Sequence, residues 1–336
     1  MSPSLLGINA VDHPGGAEVA LVRLFERLAG RGWELGVATP ADAGPLTELG
    51  YEHVKLDVGG LGAREGARAV ASFPKALRLG ARWDLVYLNS TVCGRLLPAL
   101  RTARTVLHVH DIVERVPRHW AQASLVLAAS QAVADRLEGL DAHVVFCPIE
   151  LDPPPAPRPW AHDGAPVIGY VGRIEPRKGV IDLVAAAGQI RERVPGARIV
   201  LMGGDPYDTD AEYLAAVRAS DAVEHLPWVD NAPGVMRHLD VLVAPSHQEP
   251  FGTVLSEAMA VGTPVVATRV GGLAEVVEDG VTGALVEPGS PDALADGIAR
   301  VLESRDAMGA AARQAARRFD ADAYADRVEA LLRGLL

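Results

Sequence analysis

Residues 241–268 constrain this chain more than any other stretch. The apolar run Val241-Leu242-Val243-Ala244 is followed by Pro245, Ser246 and Pro250, then by Thr253 to Ala260, then by Gly262-Thr263-Pro264 and a second apolar run from Val265. Pro and Gly close each apolar segment, and Val254, Leu255, Ala258 and Met259 fall at helical core spacing. The stretch therefore predicts strand, turn, helix, turn, strand. Strand, helix and strand in that order read as a unit of a parallel α/β sheet.

The rest of the chain repeats that rhythm. Leu5–Ile8, Leu35–Ala38, Leu85–Leu88, Thr105–Val109, Leu125–Ala128 and Val144–Phe146 are the expected strands of the first half, with a helix over residues 17–30. Val167–Val171 and Arg198–Met202 open the second half, and the tail from about Asp320 is helical, with Tyr324, Val328, Leu331 and Leu332 on one stripe. Between the halves, Asp152-Pro153-Pro154-Pro155-Ala156-Pro157-Arg158-Pro159 can be neither helix nor central strand. We expect an α/β protein of two domains, residues 1–152 and 164–318, with a stiff linker over 153–163 and a C-terminal helix over 319–336. A chain of 336 residues gives each half a full core.

Composition excludes several classes of function. The net charge of −11 is carried almost wholly by the second half, with 16 Lys and Arg against 26 Asp and Glu after residue 160, and 16 against 17 before it. No basic face for nucleic acid is expected from such a balance. No apolar run approaches the roughly 20 residues of a membrane span, and the N-terminus does not read as a signal peptide. Cys93 and Cys147 sit in apolar surroundings without metal-ligand spacing, as free thiols in a reducing cytoplasm would.

Within the 241–268 stretch, the helix opens after Phe251-Gly252-Thr253, whose backbone amides make a cradle for an anion or a dense hydroxyl array. Glu249 and Glu257 flank that cradle and can accept paired hydrogen bonds from diols. A second loop, Gly172-Arg173-Ile174-Glu175-Pro176-Arg177-Lys178-Gly179, follows the first strand of the second half, where an α/β sheet presents its ligands. Arg173 and Lys178 are its candidate phosphate cations, with Arg177 expected in solvent. Gly15-Gly16-Ala17-Glu18 after the first strand is a glycine turn, not the G-x-G-x-x-G of dinucleotide binding.

Glu249 and Glu257, with seven residues between them, resemble the E-x7-E motif of family 4 glycosyltransferases. G-R-I-E-P-R-K-G, G-T-P-V-V-A-T, G-G-L-A-E-V-V, D-G-V-T-G-A-L-V and P-G-S-P-D-A-L-A resemble that family too, in its order. The resemblance implies the GT-B architecture, two Rossmann-like domains facing an interdomain cleft, with the C-terminal helix returning to the first. It implies a retaining, metal-independent transferase that moves a sugar from a nucleotide diphosphate to an acceptor, with no cofactor beyond the nucleotide-sugar donor. His110, Arg173, Lys178 and Glu249 are then the expected catalytic residues. Gly15, Gly16, Val229, Phe251, Gly252, Thr253 and Glu257 would bind the donor, with Glu257 on the ribose, while His13, Asn89 and Ser90 would face the acceptor. His108 and His110 close a strand, and the two rings are expected on opposite faces, His110 toward the substrate. His247 is a further candidate for the donor sugar, and Trp228 either stacks on the base or covers the core edge.

Two other readings fit the same scaffold: a nucleotide-sugar epimerase or hydrolase, and a non-catalytic nucleotide-sugar-binding protein. An epimerase or hydrolase would need a further acid or base at the anomeric carbon, and a binding protein would not need both glutamates and both cations. The acceptor is unnamed by the sequence, though a compact first half suggests a small one. Residues 64–82 carry five Lys and Arg against Glu65. Pro74 interrupts that helix and large apolar anchors are few, so a solvated face is expected, with peripheral membrane contact as the alternative.

Overall fold

The computed structural model describes residues 2–11, 15–42, 44–60, 63–161, 163–206 and 210–336. These fall into two units, Met1–Pro148 with Ala321–Leu336, and Ile149–Asp320. The first is built on strands β1 (Ser4–Ile8), β2 (Glu34–Thr39), β3 (Glu52–Lys55), β4 (Leu85–Asn89), β5 (Arg104–Val109), β6 (Leu125–Ala128) and β7 (Ala142–Val144). They pair in the order β3-β2-β1-β4-β5-β6-β7, all parallel. The second unit carries β8 (Val167–Arg173), β9 (Arg198–Gly204), β10 (Glu224–Leu226), β11 (Val241–Ala244), β12 (Val265–Thr268) and β13 (Gly283–Val286). Their order is β10-β9-β8-β11-β12-β13, again all parallel. Each is a doubly wound sheet of the Rossmann type, and the whole is a GT-B-like architecture.

Sheets covered on both faces need strands apolar on both sides, and β4, β11, β12 and β13 are buried along their whole length. The edge strands β3 and β10, E-H-V-K and E-H-L, show no apolar run and were not expected from the sequence. They are short and partly polar because one side of each has no neighbouring strand.

On one face of the first sheet, the helix Gly16–Ala29 packs Leu21, Leu24, Phe25 and Leu28 beside Leu5, Val37, Leu85 and Val106. The C-terminal helix Ala321–Arg333 joins this layer through Tyr324, Ala325, Val328 and Leu332, a stripe at helical spacing. At its edge Arg31 pairs with Asp326 at 2.6 Å and Glu329 at 2.9 Å, and the Trp33 indole N–H donates to Glu329. The last helix is therefore part of the first unit, although 172 residues of the second unit separate it in sequence from Pro148.

The proline-rich segment belongs to the second unit. Proline donates no N–H but keeps its carbonyl, and those of Pro153 and Pro154 accept from Arg237 and Asn231, each at 2.8 Å. No helix of the described residues is long and apolar enough to cross a membrane.

Candidate active site

In a doubly wound sheet, ligands collect beyond the carboxyl ends of the strands where the order reverses. In the second unit that point lies between β8 and β11. The loop after β8 carries Arg173 to Gly179, and the loop after β11 carries Pro245 to Gly252, so the two candidate loops are neighbours. The backbone ties them together. The Arg177 carbonyl accepts from the His247 amide at 2.8 Å and the Gln248 amide at 3.2 Å. Gly179 starts the helix Val180–Arg193 at φ +62°, and a side chain there would meet the Pro245 carbonyl oxygen at 2.0 Å. Only glycine permits that approach.

The side chains continue the connection. Lys178 Nζ donates to Glu249 Oε2, and both side chains are largely buried. Glu175, also buried, forms ion pairs with Arg177 at 2.7 Å and Arg173 at 3.4 Å. Arg177 is thus a structural strut as well as a surface cation, and its expected place in solvent is corrected by its pairing with that buried carboxylate. The Tyr170 hydroxyl donates to the Arg173 carbonyl. Burial, with Glu249 and Glu175 nearby, holds this phenol well above its ordinary range, so it remains a donor. Sequence reading missed Glu175 because a glutamate in a charged turn resembles any surface residue.

Glu249 leads into Phe251 and Gly252, and Gly252, at φ +96°, caps the helix Thr253–Ala260. The Glu249 carbonyl accepts from the Gly272 amide at 3.0 Å, and Phe251 packs edge-on against Phe319 at 5.3 Å. Thr253 and Glu257 lie half-buried, one turn apart on that helix. His247 reaches Asp182 at 2.6 Å. Val229 is half-buried in the loop after β10, and Trp228 beside it is half-exposed.

In the first unit the order reverses between β1 and β4. Asn89 ends β4 and is buried, donating to Asn9 Oδ1 at 2.9 Å and to the Ala17 carbonyl at 3.0 Å. Asn9 in turn donates to the Val11 carbonyl at 2.7 Å, which fixes both amide orientations. Asn89 Oδ1 is left to meet His110 Nε2 at 3.1 Å. That nitrogen therefore carries the proton, and Nδ1 is a lone-pair acceptor. Nδ1 is buried and has no hydrogen-bond partner among the described residues. Burial pushes the His110 pKa down to about 3, so the ring is neutral.

Residues two apart on a strand share a face. The His108 and His110 rings accordingly lie 3.8 Å apart, which corrects the expectation that they point to opposite faces. Ser90, directly after Asn89, is half-buried and has a positive φ of 153°, the one non-glycine residue so strained among those described. Gly15 caps the first helix, its amide donating to Glu18 Oε2 at 3.0 Å, and Gly16 is exposed. Glu18 is buried at that helix start, and its burial raises the carboxyl pKa. His13 lies outside the described residues. Glu18 is the helix-start residue expected from the sequence, whereas Asn9 and Tyr87 are neighbours that sequence reading did not single out. The alternation of Tyr87 and Asn89 in L-V-Y-L-N was the available signal.

Two doubly wound parallel units, one with arginine, lysine and a paired glutamate at its switch point, have the architecture of the GT-B class of sugar-transferring enzymes. Residues 14–153 match the family model described as Glycosyltransferase Family 4, and residues 156–319 that of Glycosyl transferases group 1. A D-inositol 3-phosphate glycosyltransferase of Geodermatophilus obscurus is 32% identical over 377 positions, covering 93% of this chain and 84% of the relative. The protein of the same description from Nocardia farcinica is 30% identical, covering 88% and 78%. Among solved structures, Anabaena HepE in complex with UDP and glucose superposes with a TM-score of 0.83 at 23% identity, covering 99% of this chain and all of the other. Sucrose-phosphate synthase from Thermosynechococcus elongatus gives 0.81 at 24%, covering 99% of each. The chain belongs to this glycosyltransferase family, whose members transfer a sugar from a nucleotide diphosphate donor.

Proposed function

We propose that the chain transfers its sugar with retention at the anomeric carbon, without a required metal, and to a small polar acceptor. The observation that carries this is the Lys178–Glu249 pair beside Arg173 at the switch point of the second sheet. As the C1–O bond to the diphosphate breaks, its electron pair stays on the phosphate oxygen, and negative charge grows there. Arg173, Lys178 and the first amides of helix Thr253–Ala260 then stabilise that charge as preorganised donors. The acceptor oxygen bonds to C1 on the face the phosphate leaves, and its proton passes to the departing phosphate oxygen. Glu249 holds hydroxyls of the donor sugar and Glu257 the ribose diol, with Val229 at the base, while His110 accepts from a substrate hydroxyl. Gly15, Gly16, Asn89 and Ser90 complete the first unit's share.

Two positive side chains supply the role a cation would otherwise take, and no group of three or more His, Cys, Asp or Glu among the described residues could hold one. The relatives' description as D-inositol 3-phosphate glycosyltransferases favours a small acceptor. Two buried free cysteines favour the cytoplasm. A solvated face over residues 64–82 is favoured over lipid docking, since Arg82 is paired with Glu52, Arg68 with Glu65, and Lys75 donates to the Lys55 carbonyl.

The test is thermal stabilisation and slow donor hydrolysis across UDP-, GDP-, ADP- and dTDP-sugars, with and without EDTA. One nucleotide should stabilise the protein, EDTA should change nothing, and Lys178→Ala should abolish the shift. Removing either cation should cost about 3 kcal/mol of transition-state stabilisation, roughly a hundredfold in rate. A shift that survives Lys178→Ala, or one that EDTA erases, contradicts the reading.

A further inference from the structure

The face of the first sheet that packs against helices Gly16–Ala29 and Ala321–Arg333 is largely apolar, and a line of polar side chains crosses it. Tyr324, on the C-terminal helix, packs in the same buried cluster as Tyr87 on β4. The Tyr87 hydroxyl is 2.7 Å from His108 Nδ1, and the two rings pack edge-on at 5.9 Å and 83°. The His108 ring lies against His110 at 3.8 Å, and His110 meets Asn89. All of these side chains are buried. Apolar residues of similar size would fill this layer without the desolvation cost of a line of polar groups. The Tyr87 hydroxyl is satisfied by His108. The other end of the line is unsatisfied, where His108 Nε2 and His110 Nδ1 are buried with no partner among the described residues.

His110 follows the last residue of β5, so the strand ladder does not hold its ring. Its ring makes one hydrogen bond among the described residues, from Nε2 to Asn89, and packs against the His108 ring, which Tyr87 in turn holds.

We propose that His108 is a positioning residue for His110, held by Tyr87 in the layer that the C-terminal helix covers, and that this line fixes the orientation and tautomer of the His110 ring. The proposal rests on the reading of His110 as a substrate ligand. It adds a role for three residues that touch no substrate, and it gives the returning C-terminal helix a part in catalysis as well as in stability.

The experiment uses the full chain labelled with 15N-histidine, together with the variants Tyr87→Phe, His108→Leu and Tyr324→Phe. Long-range 1H–15N spectra report the tautomer of each ring, and transfer kinetics report kcat and donor KM. Wild-type His110 should show one tautomer, protonated at Nε2. In Tyr87→Phe and His108→Leu its signals should become those of a tautomer mixture, and kcat should fall about fivefold, the effect of one modest hydrogen bond, with donor KM within about twofold. A purely structural role would lower the melting temperature and leave both the tautomer and the kcat of the folded fraction unchanged, and that result overturns the proposal. If Tyr87→Phe or His108→Leu does not fold, Tyr324→Phe, which alters only the layer over Tyr87, is judged by the same two readouts. His110→Ala separates the two ideas. Full transfer by that variant would refute the substrate role of His110, whereas a loss there with unchanged His110 in the other variants would refute the positioning line alone.

Discussion

The two buried histidines of the first unit make its stability sensitive to mild acid. Burial pushes the His110 pKa down to about 3, and burial together with the neighbouring His110 ring holds His108 well below 6.5. In the unfolded chain both rings titrate near 6.5. Below that pH the unfolded chain binds protons that the folded protein refuses, so stability present above pH 6.5 is lost as the pH falls. Between pH 7.5 and 5.5 each ring should cost about 1.4 kcal/mol of folding free energy, about 2.7 kcal/mol together. Glu18, whose burial raises its carboxyl pKa, acts with the opposite sign, and partly buried His119 adds a smaller loss in the same direction as the pair. A comparison with His108→Gln cancels both. Urea unfolding at pH 7.5, 6.5 and 5.5, followed by circular dichroism and tryptophan fluorescence, measures the difference. The variant should lose about 1.4 kcal/mol less than wild type over that range. If two transitions are resolved, only that of the first unit should carry the effect. Identical pH dependence in wild type and variant would mean that His108 protonates as readily folded as unfolded, which its burial forbids.

Four further outcomes are expected. The rate of transfer should show no limb near pH 6.5 from His110, because the ring is neutral well below that value, and a pH–kcat profile tests this. Gly179→Ala should destabilise the protein by about 1–3 kcal/mol in thermal or urea unfolding and weaken donor binding in a titration, since the new methyl meets the Pro245 carbonyl at positive φ. Glu257→Ala should raise donor KM about tenfold with kcat nearly unchanged in steady-state kinetics, the mark of a group that holds substrate and transition state equally. In urea unfolding, Leu332→Ala should cost about 2–4 kcal/mol and Arg31→Ala at most about 1 kcal/mol, because the apolar stripe holds the last helix and the half-exposed ion pairs contribute little.

What the sequence determined by itself was local and periodic. Apolar runs four or five residues long, closed by Gly and Pro, located β1, β2, β4, β5, β6, β8, β9, β11 and β12, because a strand buried on both faces leaves a continuous apolar signature. The spacing of Glu249 and Glu257, and the cations of G-R-I-E-P-R-K-G, were legible because each motif lies within one loop or helix. Tertiary structure decided which distant segments meet. That Lys178 pairs with Glu249, 71 positions further along the chain, follows from β8 and β11 being neighbours in the sheet, although two other strands lie between them in sequence. The structure also turned Glu175 from a surface charge into a buried strut. It brought Tyr324 from the end of the chain to the layer beside a line of side chains leading to His110. Periodicity records which side of an element is covered, but not by what. The partner is set by strand order and by the return of the last helix, and those depend on the packing of the whole unit.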